Sequence, residues 1–236
     1  MRKSKHLFSV NDDKSIKLKG DAAMVIFNNS GLLASAPLAA LARQDLPTLS
    51  LGAEPLTLER IFQVAVGQQP VGLSAEGKGR IDASHRTLLA ALERGDVIYG
   101  VNRGFGSLAE RTISPDEMKV LQRNIVLSHS AGVGDYVPDY LVRAMLLLRA
   151  QTLMAGFSGV TIPLVTLILQ LLNHNITPLV KCQGSVGASG DLVPLAQLAL
   201  PLIGEGQVRY QGKIMPAAEA LRQCSLEPIV LGPKEG

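Results

Sequence analysis

The sequence predicts a mainly α-helical fold: a helical bundle with Gly-rich loops and one small β-hairpin. Two long segments, 138–155 and 161–173, have apolar residues around most of the helical circumference, which indicates helices buried in a bundle core. A third segment begins with a strong helix start signal at 114–117. The chain has 236 residues, of which 47% are hydrophobic, so it can bury a sizeable core.

The start of the chain, 1–54, contains no recognisable motif, and we expect it to be an N-terminal extension of a main domain at 55–236. Residues Leu32 to Arg43 are mostly Ala and Leu and predict one helix there. Basic residues cluster near the N-terminus without an apolar segment and a cleavage site. We therefore expect a solvated tail and no signal peptide.

Composition argues against several classes of function. The net charge is only +3, and aromatic residues make up 4% of the chain with no Trp, so we expect no nucleic-acid binding. Apolar runs such as 161–172 are too short to span a bilayer, so we expect no membrane insertion. Cys182 and Cys224 match no metal or redox spacing. We therefore expect no metal site, a buried Cys182 thiol and a cytoplasmic location.

Cap residues predict the helix boundaries in the first half of the main domain. Thr57 is placed to cap a short helix, and a second helix is predicted over 82–95, which ends on a glycine. His85 lies in the first turn of that helix, and we expect it to be exposed. Ser114-Pro115-Asp116-Glu117 combines a capping box with Pro at the first helical position, and it predicts a helix that runs towards Gly132.

The C-terminal part of the chain predicts three more elements. A helix is expected at 191–202 despite Pro194, since proline is tolerated in a first turn. Residues 208–214 alternate around Gln211-Gly212, which predicts the small hairpin. Residues 216–223 predict a short amphipathic helix.

Two Gly-rich segments interrupt the helices. The first follows a short β-like run at 97–99 and has glycines at 100, 104 and 106, which on their own indicate a flexible surface loop. The second spans 184–194, and its residues alone allow three interpretations. One is a helix connection with Asp191 as N-cap. A phosphate-binding loop would need a G-x-x-x-x-G-K-[ST] pattern and a preceding strand, and both are missing. A hydrolase elbow would need Gly two residues after Ser189, where Asp191 stands.

The run Gly184-Ser185-Val186-Gly187-Ala188-Ser189-Gly190-Asp191-Leu192 resembles the signature of the aromatic amino acid ammonia-lyases, most closely of the histidine-specific members. The resemblance implies that Ala188-Ser189-Gly190 cyclises, with the Gly190 nitrogen attacking the Ala188 carbonyl and two waters lost. The product is an electrophilic prosthetic group, 4-methylidene-imidazol-5-one (MIO). The resemblance also implies the N-terminal half of the ammonia-lyase fold.

The run Tyr99-Gly100-Val101-Asn102-Arg103-Gly104-Phe105-Gly106 is similar to the active-site loop of that family. The resemblance implies that Tyr99 is the base that removes the β-proton of the substrate, with Asn102 and Gly106 in the substrate site. A phenol is a poor base at neutral pH, so the mechanism needs positive potential that favours the phenolate. Arg103 stands where the family usually has Thr, and three roles stay open: holding the phenolate, contacting a substrate carboxylate, or pointing to solvent.

Ser128-His129 matches the specificity pair of the family. A lone His on a helix is more often a core or surface residue than a ligand. Because Ser-His is typical of the histidine-specific members, the resemblance implies that L-histidine, a small amino acid, is the substrate and hydrogen-bonds to His129. The alternatives are a tyrosine or phenylalanine ammonia-lyase and a related aminomutase.

The resemblance covers 55–236, about the first half of a family member. Members are tetramers whose active sites each draw on three subunits, so a homo-oligomer is implied. Two hypotheses follow. The first is an ammonia-lyase that converts L-histidine into urocanate, with MIO as electrophile and Tyr99 as base. The second is an inactive fragment or assembly module that lacks the second half of the active site.

Overall fold

The computed structural model describes residues 8–10, 16–18, 25–28, 31–34 and 46–236. Within these residues the chain forms seven α-helices and eleven short strands. The strands pair only in small sheets of two or three, so helices form the framework. The mainly α-helical class that the sequence predicts is confirmed.

Four short strands lie within residues 8–34. β1 (Phe8–Val10) pairs antiparallel with β2 (Ile16–Leu18), and β3 (Val25–Asn28) pairs antiparallel with β4 (Gly31–Ala34). The helix predicted from Leu32 is therefore wrong at its start, because pairing with β3 overrides the helix propensity of Leu and Ala. The remainder of that predicted helix, 35–43, lies outside the described residues.

A parallel strand pair joins the end of the predicted extension to the predicted main domain. β5 (Leu49–Leu51) runs parallel to β6 (Val71–Leu73), and α1 (Leu58–Ala65) connects them. Thr57 caps α1 as predicted, since its hydroxyl accepts a hydrogen bond from the Arg60 N–H at 3.3 Å.

α2 (Ala75–Glu93) begins at Ala75 rather than at Asp82. The Ser74 hydroxyl caps it by accepting a hydrogen bond from the Gly77 N–H at 2.9 Å. The predicted start is wrong because Gly lowers helix propensity, and the first turns contain two glycines that packing tolerates. The helix ends before Gly95, whose φ of +79° confirms the predicted glycine terminator.

His85 is half-buried rather than exposed, so that prediction is wrong. Its Nδ1 lies 2.7 Å from the Gly159 carbonyl oxygen, because the turn after the fourth helix packs closely on α2. A Cβ on Gly159 would lie 2.9 Å from Leu88 Cδ2. Glycine is therefore what allows this close approach.

α3 (Pro115–His129) begins with the predicted capping box. The Glu117 N–H donates to Ser114 Oγ at 3.4 Å, and the Ser114 N–H donates to Glu117 Oε2 at 3.1 Å. The hydrogen bonds from the Ser114 backbone and hydroxyl, with a smaller contribution from Arg111, hold the pKa of Glu117 below its ordinary value. α3 leads into β7 (Val133–Tyr136), which pairs antiparallel with β9 (Lys181–Gln183).

α4 (Asp139–Leu153) and α5 (Ile162–Asn173) pack against each other and confirm the two predicted core helices. Their most deeply buried side chains are apolar: Val142, Leu146, Leu147, Ala150, Val165 and Leu171. At the end of α5, the side-chain amide of Asn173 extends β6 as a further strand would. Its Oδ1 accepts from the Val71 N–H and its Nδ2 donates to the Val71 carbonyl, both at 2.9 Å.

A single buried cation joins the C-terminal ends of α1 and α5. The Arg143 guanidinium donates to the carbonyl oxygens of Val64, Ala65 and Leu172 at 2.9–3.1 Å, and to Asn175 Oδ1 at 2.9 Å. Last-turn carbonyls lack intrahelical partners and carry the negative end of the helix dipole. Burial lowers the pKa of Arg143 to about 10, although nearby Asp139 acts to raise it.

The last elements confirm the predicted C-terminal order. α6 (Leu192–Ala199) continues as a 3-10 turn at Leu200–Ile203, and α7 (Ala217–Gln223) follows the hairpin. The hairpin consists of β10 (Gln207–Tyr210) and β11 (Lys213–Pro216), and β8 (Thr177–Pro178) pairs on the other side of β10. Its two turn residues both have positive φ, +50° and +75°, as a two-residue hairpin loop requires.

Candidate active site

A cavity of about 900 Å³ lies between α3, α4, α5 and α6. Three of the residues predicted to form a site line it: Tyr99, Gly106 and His129. Much of the remaining wall is apolar and comes from α4, α5 and α6: Leu146, Leu153, Leu164, Ile168, Leu192 and Leu195. Residues between 99 and 129 and residues between 146 and 195 therefore line the same cavity, although they are far apart in the sequence.

The Tyr99 side chain is held by its own loop. The β-like run at 97–99 does not form a strand, because residues 97–98 have no regular structure and 99–102 form turns. Tyr99 is 55% exposed, and its hydroxyl oxygen accepts a hydrogen bond from the Gly106 N–H at 3.0 Å. The ring lies edge-on to Phe105, with 5.6 Å between ring centroids. A Cβ on Gly100 would lie 2.5 Å from the Phe105 ring, so only glycine fits there.

The loop before α6 is tightly curled. Gly187–Ser189 form a single 3-10 turn, and a β-bridge between Val186 and Gly190 closes it. Gly190 has φ +75° and ψ −162°, a conformation that is essentially restricted to glycine. Asp191 occupies the N-cap position of α6, but it accepts a hydrogen bond from Ser185 Oγ at 3.2 Å instead of capping the helix.

This loop is connected to the cavity through the start of α6. Ala188 and Gly190 are exposed and are not part of the cavity wall, although Leu192 at the start of α6 is. Cys182, in the strand that leads into the loop, is also exposed. The prediction of a buried Cys182 thiol is therefore wrong, because β9 lies in a two-stranded sheet whose residues are mostly exposed.

His129 ends α3 and lies in the cavity wall. Its Nδ1 is 2.9 Å from the Ile125 carbonyl oxygen and 3.0 Å from Ser128 Oγ. A carbonyl oxygen only accepts hydrogen bonds, so Nδ1 carries the hydrogen and Nε2 of the neutral ring is an acceptor. Ser128 is outside the cavity wall and contacts the Nδ1 side of the ring.

Residues 56–236 match the family model for aromatic amino acid lyases. The chain belongs to the aromatic amino acid lyase family. Membership confirms the resemblance that the two Gly-rich signatures indicate.

Individual relatives within this family carry different names. A histidine ammonia-lyase from Legionella pneumophila (strain Lens) is 47% identical over 181 residues, which cover 77% of this chain and 36% of the relative. The ergothioneine degrading enzyme Ergothionase from Treponema denticola is 33% identical with a TM-score of 0.78, over 80% of this chain and 38% of the enzyme. Pantoea agglomerans phenylalanine aminomutase is 32% identical with a TM-score of 0.76, over 80% of this chain and 36% of the aminomutase.

The chain therefore spans little more than a third of the length of these relatives, less than the half expected from the sequence. Their names also describe different substrates and reactions. Family membership establishes the type of protein, and the substrate has to be argued from side chains.

The side chains of Asn102 and Arg103 form hydrogen bonds with nearby backbone groups. Asn102 Oδ1 accepts from the Ile98 N–H at 2.8 Å, and its Nδ2 donates to the Asp96 carbonyl at 2.7 Å. Asn102 is not part of the cavity wall. Arg103 donates from Nη1 to the Glu110 carbonyl at 2.6 Å. The structure therefore adds a fourth role to the three left open for Arg103. Its side chain joins two parts of the loop through a hydrogen bond.

Sequence reasoning missed Gln122, which lines the cavity and is fully buried. Its Nε2 donates to the Gly100 carbonyl at 3.0 Å, and its Oε1 accepts from the Gly236 N–H at 2.8 Å. The available signal was its position four residues before buried Val126, which places a polar residue on the apolar stripe of α3.

Arg149 was also missed, and it lines the cavity from α4. Burial lowers the pKa of its guanidinium from the ordinary value. Within residues 46–236, no group of three or more His, Cys, Asp and Glu side chains is arranged to hold a metal ion. In the same part of the chain, no helix is both long and apolar enough to cross a membrane.

Proposed function

We propose that this chain contributes to an ammonia-lyase that eliminates ammonia from L-histidine to give urocanate. One observation carries the proposal: Tyr99, Gly106 and His129 line the same cavity. The first two belong to the loop that resembles the family's active-site loop, and the third to the family's specificity pair. A proton acceptor and an imidazole-binding group therefore lie around one space large enough for an amino acid.

The curled loop fits the prosthetic group. Ring formation requires the Gly190 nitrogen to reach the Ala188 carbonyl carbon, and a 3-10 turn brings backbone atoms two residues apart closer than an extended chain does. The glycine-restricted backbone of Gly190 leaves its nitrogen unhindered, and apart from Gly190 and its two chain neighbours no atom lies within 4 Å of a Cβ built there. MIO, when formed, supplies an electrophile that makes the substrate amino group able to depart.

Tyr99 acts as the base. Its oxygen takes the β-proton of the substrate, and the Gly106 N–H stabilises negative charge on that oxygen beforehand through its 3.0 Å hydrogen bond. The Phe105 ring limits rotation of the Tyr99 ring by contacting its edge. The loop conformation then sets the distance between the Tyr99 oxygen and the substrate.

His129 selects the substrate. Because Nδ1 is engaged by Ile125, Nε2 is free to accept a hydrogen bond from the N–H of a substrate imidazole. Ser128 orients the ring instead of touching substrate. The alternative, a tyrosine or phenylalanine ammonia-lyase or an aminomutase, is favoured by the similarity to phenylalanine aminomutase. His129→Leu should raise KM for L-histidine and lower KM for phenylalanine, and an unchanged ratio would favour the alternative.

The remaining parts of the active site come from outside this chain segment. The match covers only 36% of the length of the relative, so we infer that further polypeptide, within a homo-oligomer, completes the substrate site. The competing proposal is an assembly module without catalysis, which would bind such segments but form no prosthetic group.

The test combines intact mass with turnover of L-histidine by the assembled protein. Wild type should be lighter than its sequence by two waters, whereas Ser189→Ala should not show that loss, because one of the two waters takes its oxygen from the Ser189 hydroxyl. Tyr99→Phe should keep the mass loss but reduce kcat by about 10²- to 10⁴-fold. Tyr136→Phe, a tyrosine outside the cavity wall, should change neither. Full mass in the wild type would support the assembly module instead.

A further inference from the structure

Gln122 is a polar side chain with no contact to solvent. It is 0% exposed, inside a cavity wall that is otherwise largely apolar. A buried amide is stable only when its donor and acceptor atoms find partners. Any role for Gln122 therefore depends on the two groups that it binds.

The two partners of Gln122 are backbone groups of opposite type. Gly100 offers a carbonyl, which can only accept, and Gly236 offers an N–H, which can only donate. This pair determines the orientation of the amide, with Nε2 towards Gly100 and Oε1 towards Gly236. Gln122 therefore bridges two segments 136 residues apart in the chain, Gly100 and Gly236.

The Gly100 contact reaches Tyr99 directly, because the two residues are adjacent. Tyr99 lies in a turn in which the Val101 N–H donates to the Ile98 carbonyl at 3.1 Å. Several other hydrogen bonds of this loop stay within it, such as those of Asn102 and Gly106. The Gln122 bond joins the turn to a regular helix, α3.

The Gly236 contact joins the same amide to a second anchored segment. Glu235 Oε1 accepts from both the N–H and the hydroxyl of Thr161, at 2.8 and 2.7 Å. Thr161 is the N-cap residue of α5. The segment 232–236 is thereby attached to α5, and Gln122 connects it to the turn that contains Tyr99.

We propose that Gln122 is a positioning residue for Tyr99: its amide fixes the Gly100 carbonyl against α3 and aligns the Tyr99 turn with the 232–236 segment. This inference rests on the proposed function of Tyr99 as the base. Loss of the amide should move the Tyr99 oxygen relative to the β-carbon of the substrate. Proton removal then becomes slower while substrate binding changes little.

The test uses Gln122→Met, which keeps length and volume but removes both hydrogen bonds, in the assembled protein. Gln69→Met is the matched control, since Gln69 is a buried glutamine outside the cavity wall whose Nε2 donates to the Pro47 carbonyl. Hydrogen exchange of peptides covering 98–106 and 232–236 should be at least several-fold faster in Gln122→Met and unchanged in Gln69→Met.

The kinetic measurement is the isotope effect on kcat with substrate deuterated at the β-carbon. Gln122→Met should lower kcat about tenfold or more with little change in KM, and its isotope effect should rise because proton removal limits the rate more strongly. A reduced fraction of folded protein lowers kcat without altering an isotope effect. Faster exchange with an unchanged isotope effect would therefore leave Gln122 a purely structural residue and overturn the proposal.

Gln122→Glu provides a second variant if the first does not fold. It keeps an acceptor for the Gly236 N–H but places a carboxylate oxygen against the Gly100 carbonyl. Exchange should become faster in 98–106 and stay slow in 232–236, and equal rates in both segments would contradict the proposed bridge. Absence of turnover in the wild type would overturn the proposed function, whereas the exchange measurement tests Gln122 separately.

Discussion

The α4–α5 pair and the two Gly-rich loops are built in opposite ways. The helices bury whole rows of apolar side chains, and Leu147 and Leu171 are 0% exposed. In the loops, Tyr99 is 55% exposed and Val186 is 70% exposed. Buried apolar area stabilises the helices, whereas turns, glycines and hydrogen bonds determine the shape of the loops. Stability and active-site geometry therefore depend on different residues, and each can be changed separately.

Two adjacent leucines on α4 test the core side of this comparison. Leu147 is 0% exposed and Leu148 is 46% exposed. Leu147→Ala should lower the free energy of unfolding by about 3 kcal/mol, since it removes buried surface and leaves a cavity. Leu148→Ala should cost about 1 kcal/mol or less. Urea unfolding followed by circular dichroism measures both, and equal losses would show that α4 is not packed as described.

Arg143 tests the comparison between the α4–α5 pair and the loops with a polar side chain, because it is a charged residue buried on α4. Arg143→Met should lower the free energy of unfolding by about 2 kcal/mol, since three last-turn carbonyls lose their donor. Arg149→Met on the same helix is the control, because no side-chain hydrogen bond of Arg149 is formed within the described residues. Its thermal unfolding should stay near wild type. A larger loss of stability in Arg149→Met than in Arg143→Met would contradict the stabilising role assigned to Arg143.

Two glycines test whether the loop before α6 is specifically shaped. A Cβ on Gly184 would lie 2.5 Å from Val193 Cγ1, whereas a Cβ on Gly187 would meet nothing within 4 Å. Gly184→Ala should cost about 1–2 kcal/mol by overpacking, and it should reduce the fraction of protein that has lost two waters. Gly187→Ala should retain that mass loss. Identical intact masses for the two variants would indicate a loop without a defined shape.

The smallest expected effect is the pH dependence of the α3 cap. The pKa of Glu117 is lowered in the folded protein from its ordinary value of 4.5, so its charged form favours folding. That contribution is fully present above pH 4.5 and is lost as the pH falls through the lower folded-state pKa. The Tm difference between wild type and Glu117→Gln should therefore shrink on acidification. A difference that does not vary with pH would contradict the capping box.

Local signals predicted the elements that local physics determines. The capping box at Ser114, the apolar helices 138–155 and 161–173, and the hairpin around Gln211-Gly212 are all confirmed. Each depends on residues a few positions apart. The start of α2 was missed because its two early glycines are compensated by packing, which a sequence window does not contain.

Long-range contacts explain the other differences. The exposure of His85 depended on the turn at Gly159, and the role of Gln122 depended on Gly100 and Gly236. The resemblance identified Tyr99 and His129 as site residues, and the cavity contains both. The resemblance did not predict the position of Asn102, whose side-chain amide forms hydrogen bonds with neighbouring backbone groups. Family signatures indicate which residues matter, and only the folded chain shows which atoms remain available.

The Asn173 amide has a further consequence, which concerns the order of folding. Its two bonds to Val71 join residues 102 positions apart, so they form only after a large chain segment has closed on itself. Closure of long segments lowers conformational entropy before it is offset by contacts, which slows such steps. We expect the edge of β6 to be protected late, after α4 and α5 have associated. Pulsed hydrogen exchange at the Val71 amide would time this step, and early protection would contradict it.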